Sequence, residues 1–283
     1  MSNAIHFLNT GHSDCIILES NNHFAMIDAG EDTDHPADKP WLELKGYEQE
    51  VCDYLLKNCV NNKGEIVLDF ILATHCHSDH IGGFDTVVNH PKIKIKRAFL
   101  KPYYEENIFI MERKRWDNVE VYQQMKNALE SKNVPIIESF DGLSFLFGDM
   151  KITFFNGEYK KPAFKFGENV NSVVTLVEYN GYKALLAGDM NYKNGGEKLI
   201  ASNVGKIDLL KVGHHGYVGS TSLYWTKSLM PTYSVICNDR KRVYPDVNFK
   251  LKSIAKSQVL CTVNTNGVKF LLNDKIDYVT NIM

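Results

Sequence analysis

Several things are scarce or missing in this 283-residue chain. No C-x-x-C pair occurs: the six cysteines stand at 15, 52, 59, 76, 237 and 261 with no short regular spacing. That argues against a zinc ribbon and a disulfide framework, so free thiols in a reducing compartment are expected. No segment approaches the ~18 apolar residues of a membrane span. The first residues, MSNAIHFLNTGHSD, lack a basic leader followed by a long apolar stretch, so no signal peptide is expected and the cytoplasm is the expected compartment. Charge of one sign is also missing: the formal net charge is -2, which supplies no bulk attraction toward nucleic acid or acidic membranes. No internal repeat and no low-complexity linker break the chain.

What is present is an ordinary globular composition, 44% hydrophobic and 23% charged, long enough for one sizeable core. Short β-rich runs open the sequence at IHFLN (5–9), CIILE (15–19) and FAMID (24–28), with Asn21-Asn22 suited to a tight hairpin. Residues 41–60 carry apolar side chains at helical spacing. IVLDFILAT (66–74) is a nearly continuous apolar run, as expected of a strand buried on both faces. A short helix over 84–90 and a strand around 93–100 follow. Residues 103–131, aromatic, charged and helical in pattern, form the expected insert, with bounds near 101–135. Strands return at 143–147, 151–155, 172–179 and 182–188, the last two joined by Asn180-Gly181. Beyond them the tail alternates helix and strand to VKFLL (268–272). Meander halves with helices outside predict an α/β (α+β) architecture, two sheets packed face to face.

The chemistry concentrates in ATHCHSDHIGG (73–83). In an extended segment residues i and i+2 project to one side, so His75 and His77 can grip one ion from a strand end. The chain then turns, aiming Asp79 and His80 toward a second. Gly82 and Gly83 let the backbone pass close by. AGDM (187–190) places Asp189 at another strand end, where its two oxygens could bridge both ions. KVGHHG (211–216) places His214 and His215 at a third. Cys76 lies inside the run but points away, toward packing. His6, His12, His23, His35 and His90 read as surface or structural residues.

These motifs match the H-x-H-x-D-H signature of the metallo-β-lactamase superfamily, and the order IDAG, H-x-H-x-D-H, GD and late histidine agrees with it. More narrowly, FLNTGHSDCIILE (7–19), NSVVTLVEYNGYKALLAGDM (171–190) and DLLKVGHHGYVGSTS (208–222) resemble the hydrolase domains of ComEC-type competence proteins and the phosphorylcholine esterases. The resemblance implies a four-layer αββα sandwich forming a single domain over 1–283. It implies two divalent ions, zinc first, with manganese or iron as alternatives. His75, His77 and Asp189 would hold one; Asp79, His80, Asp189 and His215 the other. Asp28, Asp14 and Asn171 would stand behind the ligands. Asn171-Ser172 occupies the place where many members carry a further histidine, and Val243-Tyr244-Pro245 replaces a histidine-bearing Y-G-H-P. Asp79 would orient the attacking hydroxide, and His214 or Tyr244 would face the leaving oxygen.

The implied activity is that of a phosphodiesterase, with DNA or RNA among the expected substrates. A small phosphoester, thioester or lactam is the alternative substrate, and an effector that docks a protein partner through 103–131 is the third reading. Basic, aromatic stretches at MERKRW (111–116), EYKKPAFKF (158–166) and NDRKR (238–242) are candidate phosphate contacts.

Overall fold

The computed structural model describes residues 2–159, 167–193 and 195–283. The candidate phosphate contact at 158–166 therefore lies almost wholly outside the described residues.

The chain opens with β1 (Asn3–Phe7), β2 (Cys15–Ser20) and β3 (His23–Ala29), an antiparallel meander whose tight turn holds Asn21 and Asn22 at φ 52° and 63°. Asparagine tolerates that left-handed geometry better than most residues. β4 (Ile66–Leu72) joins parallel to β3, followed by β5 (Ile93–Ile95), β6 (Ala98–Phe99) and β7 (Ile136–Ile137). The second sheet takes β8 (Ser144–Phe147), β9 (Met150–Phe155), β10 (Val174–Tyr179), β11 (Tyr182–Leu186), β12 (Leu209–Lys211), β13 (Tyr233–Ile236) and β14 (Gln258–Cys261). The chain then returns to the first sheet with β15 (Val268–Leu272) and β16 (Ile276–Thr280). Among the described residues the sheets have nine and seven strands, ordered β16-β15-β1-β2-β3-β4-β6-β7, with β5 on β4, and β14 through β8 in sequence.

Three apolar layers hold four structural layers together. Between the sheets lie Ile5, Phe7, Ile16, Leu18, Phe70, Phe154, Leu186, Leu209 and Phe270. On the outer face of the first sheet, Cys15, Ile17, Leu68 and Ile71 meet helices carrying Val51, Leu55, Phe84, Val121 and Leu129. On the outer face of the second, Leu185 and Leu210 meet Ile200, Trp225 and Leu251. β4 supplies both faces, as its continuous apolar run predicts. A register shift at Asp69, where Phe24 pairs with Leu68 but Ala25 with Phe70, turns Phe70 inward onto Phe99, Phe145, Phe147 and Phe154. The αββα sandwich expected from the sequence is the observed fold.

Local differences have physical causes. The 101–135 segment contains helices Ile110–Arg115 and Asn118–Ser131. The second buries Val121, Met125 and Leu129 in the outer core and serves as the crossover between parallel β6 and β7. Strands β7 and β16 are absent from the sequence reading: the first has two residues, and the second, IDYVT, is a short, partly exposed strand at the sheet edge, so neither carries a strong apolar pattern. No helix among the described residues is long and apolar enough to cross a membrane.

Parallel pairing brings the C-terminal ends of β3 and β4 to one edge, and likewise those of β11 and β12. The loops at those ends carry His75, His77, Asp79, His80, Asp189, His214 and His215, and Asp28 stands near the end of β3 itself.

Candidate metal centre

Each loop is shaped by a local constraint. Gly188 turns at φ 51°, where side chains are strained, and an added Cβ would come 3.1 Å from Thr74 Cβ and 3.2 Å from Ser172 Cβ, tighter than ordinary contact. A Cβ at Gly83 would sit 2.7 Å from the Ala29 carbonyl oxygen, in keeping with the close passage expected of the glycine pair. Asp28, His214 and His215 all adopt positive φ (56°, 51° and 47°), backbone geometry that costs energy outside glycine and is found where surrounding structure enforces it.

Four imidazoles share one arrangement. His75 turns Nδ1 to Thr74 Oγ1 at 3.1 Å, and His80 donates from Nδ1 to Asp28 Oδ2 at 2.7 Å. His215 donates from Nδ1 to the Cys237 carbonyl at 3.2 Å, and His77 from Nε2 to Glu112 Oε1 at 2.9 Å. The opposite nitrogens face inward in pairs: His75 Nε2 lies 3.0 Å from His77 Nδ1, and His80 Nε2 lies 3.1 Å from His215 Nε2. The His75 and His80 rings adjoin, with centroids 4.1 Å apart. Asp189 Oδ1 stands 3.3 Å from His80 Nε2 and 3.5 Å from His215 Nε2, while Asp79 Oδ2 lies 3.1 Å from His215 Nε2. Asp189 Oδ1 is buried without a hydrogen bond. Acceptor nitrogens crowded against an unsatisfied carboxylate oxygen are the donor set of a metal site, each ring held by a partner on its far side.

Asp14, His80, Asp189 and His215 offer ligand atoms within 4.8 Å of one another, a buried group that could hold a metal ion. Asp14 approaches the Nδ1 side of its neighbours, 3.4 Å from His215 and 3.7 Å from His80, and pairs with Lys211 Nζ. It therefore braces the imidazoles from behind, as does Asp28, which also accepts from the Thr74 backbone N–H at 2.8 Å. Burial opposes charge on Asp189, but His215 and His80 hold its carboxyl well below the ordinary range. Burial likewise opposes charge on Lys211, yet Asp14 and Asp189 keep the ammonium firmly protonated.

A cavity of about 500 Å³ opens over this cluster. Asp79, Asp189, His77, His214 and His215 reach it, together with Glu31, Glu112, Trp116, Lys193 and Tyr217. His214 stands on the wall, its Nδ1 bonded to the Val218 carbonyl at 3.0 Å, while His215 enters the cluster. Three expectations need correction. Tyr244 is 47% exposed and is not among the described lining residues; its backbone N–H binds the Gly216 carbonyl, which sets the chain but not the ring near the site. The Asn171 side chain donates to Glu168 Oε2 at 2.9 Å and meets no imidazole. His12, expected at the surface or in a structural role, lines the cavity with Arg242 Nη1 3.0 Å from its Nε2. Cys76 is buried in the outer core, as expected.

Sequence reasoning missed Thr74, Lys211, Glu31 and Glu112. Lys211 had a signal: it is the one charge inside the apolar run of β12. Glu31 follows the IDAG turn, and burial with Asp79 and Asp32 nearby pushes its carboxyl up to about 9. Glu112 had none, because it arrives from a helix 35 positions away.

A four-layer sandwich carrying a histidine–aspartate cluster at its strand ends defines a class of metal-binding αββα proteins. The chain belongs to the metallo-β-lactamase superfamily, whose family model matches residues 8–237. Among curated proteins it is 25% identical to ComE operon protein 3 of Bacillus subtilis over 245 residues, covering 85% of this chain and 29% of that protein. It is also 25% identical to Recombination protein 2 of Haemophilus influenzae over 235 residues, covering 82% of this chain and 24% of that one. The chain thus matches less than a third of the length of either relative. Among solved structures, the metallo-β-lactamase fold protein YhfI from Bacillus subtilis superposes with TM-score 0.55 at 11% identity, over 91% of this chain and 95% of that chain. CmlA, a diiron β-hydroxylase from Streptomyces venezuelae, gives 0.55 at 10% identity, over 96% and 54%. At these identities the likeness concerns the fold.

Proposed function

We propose that this protein is a dinuclear metal-dependent hydrolase that cleaves phosphodiesters. The observation that carries the reading is the arrangement of four imidazoles, each pinned on one nitrogen, with the free nitrogens of His80 and His215 turned to Asp189 and those of His75 and His77 turned to each other beside them. His75, His77 and Asp189 would hold one ion; Asp79, His80, Asp189 and His215 would hold the other. Nitrogen and carboxylate donors suit zinc, with manganese and iron as alternatives. Two bound ions supply an activated water and a clamp on the attacking and leaving oxygens.

The chain's own residues do the rest. The Asp79 side chain is 31% exposed to the cavity, so it can orient a water while its other face meets His215. His214, on the wall, is placed to hydrogen-bond a leaving oxygen. Trp116 and Tyr217 offer aromatic faces on which a base can stack. A relative named for recombination supports nucleic acid as the substrate.

One observation favours a second reading, a small phosphoester, thioester or lactam. Among the described lining residues Lys193 is the sole lysine, against Glu31, Asp79, Glu112 and Asp189, so the described lining has no cationic excess to draw in a polyanion. Turnover of bis(p-nitrophenyl) phosphate, single-stranded DNA and nitrocefin, measured with metal content on one sample and Asp189→Ala as control, separates the readings. Phosphodiester cleavage lost in the variant supports the first. Turnover of nitrocefin alone overturns it.

A further inference from the structure

The insert reaches into the metal centre. Glu112, on helix Ile110–Arg115, accepts three hydrogen bonds at Oε1: from His77 Nε2 at 2.9 Å, from the Glu168 backbone N–H at 2.8 Å and from Asn118 Nδ2 at 3.3 Å. Its second oxygen fills the space beside Gly167, where any added Cβ would collide with it. One carboxylate thus ties together the helix, the histidine loop and the turn that leads into β10. Two further residues of the same segment, Trp116 and Asn118, line the cavity.

We propose that Glu112 is the positioning residue for His77, a role that rests on the metal-centre reading above. A neutral imidazole carries one proton, and the nitrogen without it is the one that can bind an ion. His77 Nδ1 faces His75 Nε2 at 3.0 Å, on the cluster side, while Nε2 faces Glu112. A carboxylate acceptor at Nε2 keeps the proton there, leaves the Nδ1 lone pair toward the ion and fixes the ring plane. The other three imidazoles are held by residues on the core loops: Thr74, Asp28 and the Cys237 carbonyl. For His77 alone the acceptor comes from the 103–131 segment. The same segment that shapes the substrate cavity therefore also sets a ligand to one of the two ions, and a change of insert changes both together.

The test is zinc titration of the full chain against a chromophoric chelator, with wild type, Glu112→Gln and Glu112→Ala. Glu112→Ala is expected to weaken one class of site about 10- to 100-fold and leave the other within about threefold, with Glu112→Gln between, because its amide oxygen still accepts from Nε2. Long-range proton–nitrogen spectra of the metal-free wild type, with His77 assigned through His77→Gln, should show the proton on Nε2. That measurement stands even if the alanine variant fails to fold. Affinities unchanged in Glu112→Ala, an equal loss at both classes, or a proton on His77 Nδ1 overturns the role. A wild type that takes up no zinc overturns both this role and the hydrolase reading. The expected loss without phosphodiester turnover supports this role and overturns that reading alone.

Discussion

Lys211 offers the sharpest test of how the centre is held together. It is fully buried on β12, pairs with Asp14, donates to the Gly188 carbonyl at 2.9 Å and lies 3.8 Å from Asp189 Oδ1. Lys211→Met keeps the stem length and removes the charge, which leaves Asp14 buried without its main counterion. Breaking a buried pair by deleting one partner costs ~3–5 kcal/mol. His215 Nδ1 at 3.4 Å and His80 Nδ1 at 3.7 Å from Asp14 offset part of that loss, so the lower end, ~3 kcal/mol, is expected. In a chain of this size each kcal/mol moves Tm by ~2–4 °C, so the melting point should fall by roughly 6–12 °C. Urea unfolding followed by circular dichroism, with chelator present, measures it free of metal linkage. Asp14→Asn should destabilise similarly, and the double variant should recover ~1–3 kcal/mol relative to the sum of the singles. A Lys211→Met loss below ~1 kcal/mol, or strict additivity, would refute the idea that this pair is a coupled buried brace.

Asp189→Ala should reduce metal content per chain and lower turnover of any phosphodiester substrate by at least ~100-fold, read by elemental analysis and initial rates on one sample. Gly188→Ala must place a side chain at φ 51° against Thr74 and Ser172, so a loss of ~1–2 kcal/mol in urea unfolding is expected together with weakened zinc binding. Unchanged stability would show that the loop has room to shift. Glu19 supplies a pH test far from the centre: burial opposes its charge, but hydrogen bonds from His6 and Lys269 bring its pKa to about 2. A depressed carboxylate stabilises the fold above its unfolded value of 4.5 and loses that contribution as pH falls from 4.5 toward 2. Urea midpoints of wild type and Glu19→Gln should therefore converge between pH 5 and pH 2.5, and a constant gap would contradict the assignment.

Much of this protein was legible before folding. The apolar run of β2 and the nearly continuous run of β4 specify strands with two buried faces, because side-chain direction has period two. Asn21-Asn22 and Asn180-Gly181 specify their turns through local sterics. The histidine run specifies metal chemistry, because nitrogen donors crowded within six positions have few other uses. Five-residue edge strand β16 and two-residue β7 are not legible locally, since pairing with a neighbour, rather than their own pattern, makes them strands.

The sequence alone determined which residues end up at strand ends, and hence the list of imidazoles and carboxylates available to the centre. Only the tertiary structure decided which nitrogen of each ring faces inward, that His215 enters the cluster while His214 lines the wall, and that Tyr244 stays outside. It also recruited Glu112 from the insert and closed Lys211 on Asp14. Those choices depend on contacts between segments 35 to about 200 residues apart, set by how two sheets and their helices pack, and no local pattern encodes a distance of that kind.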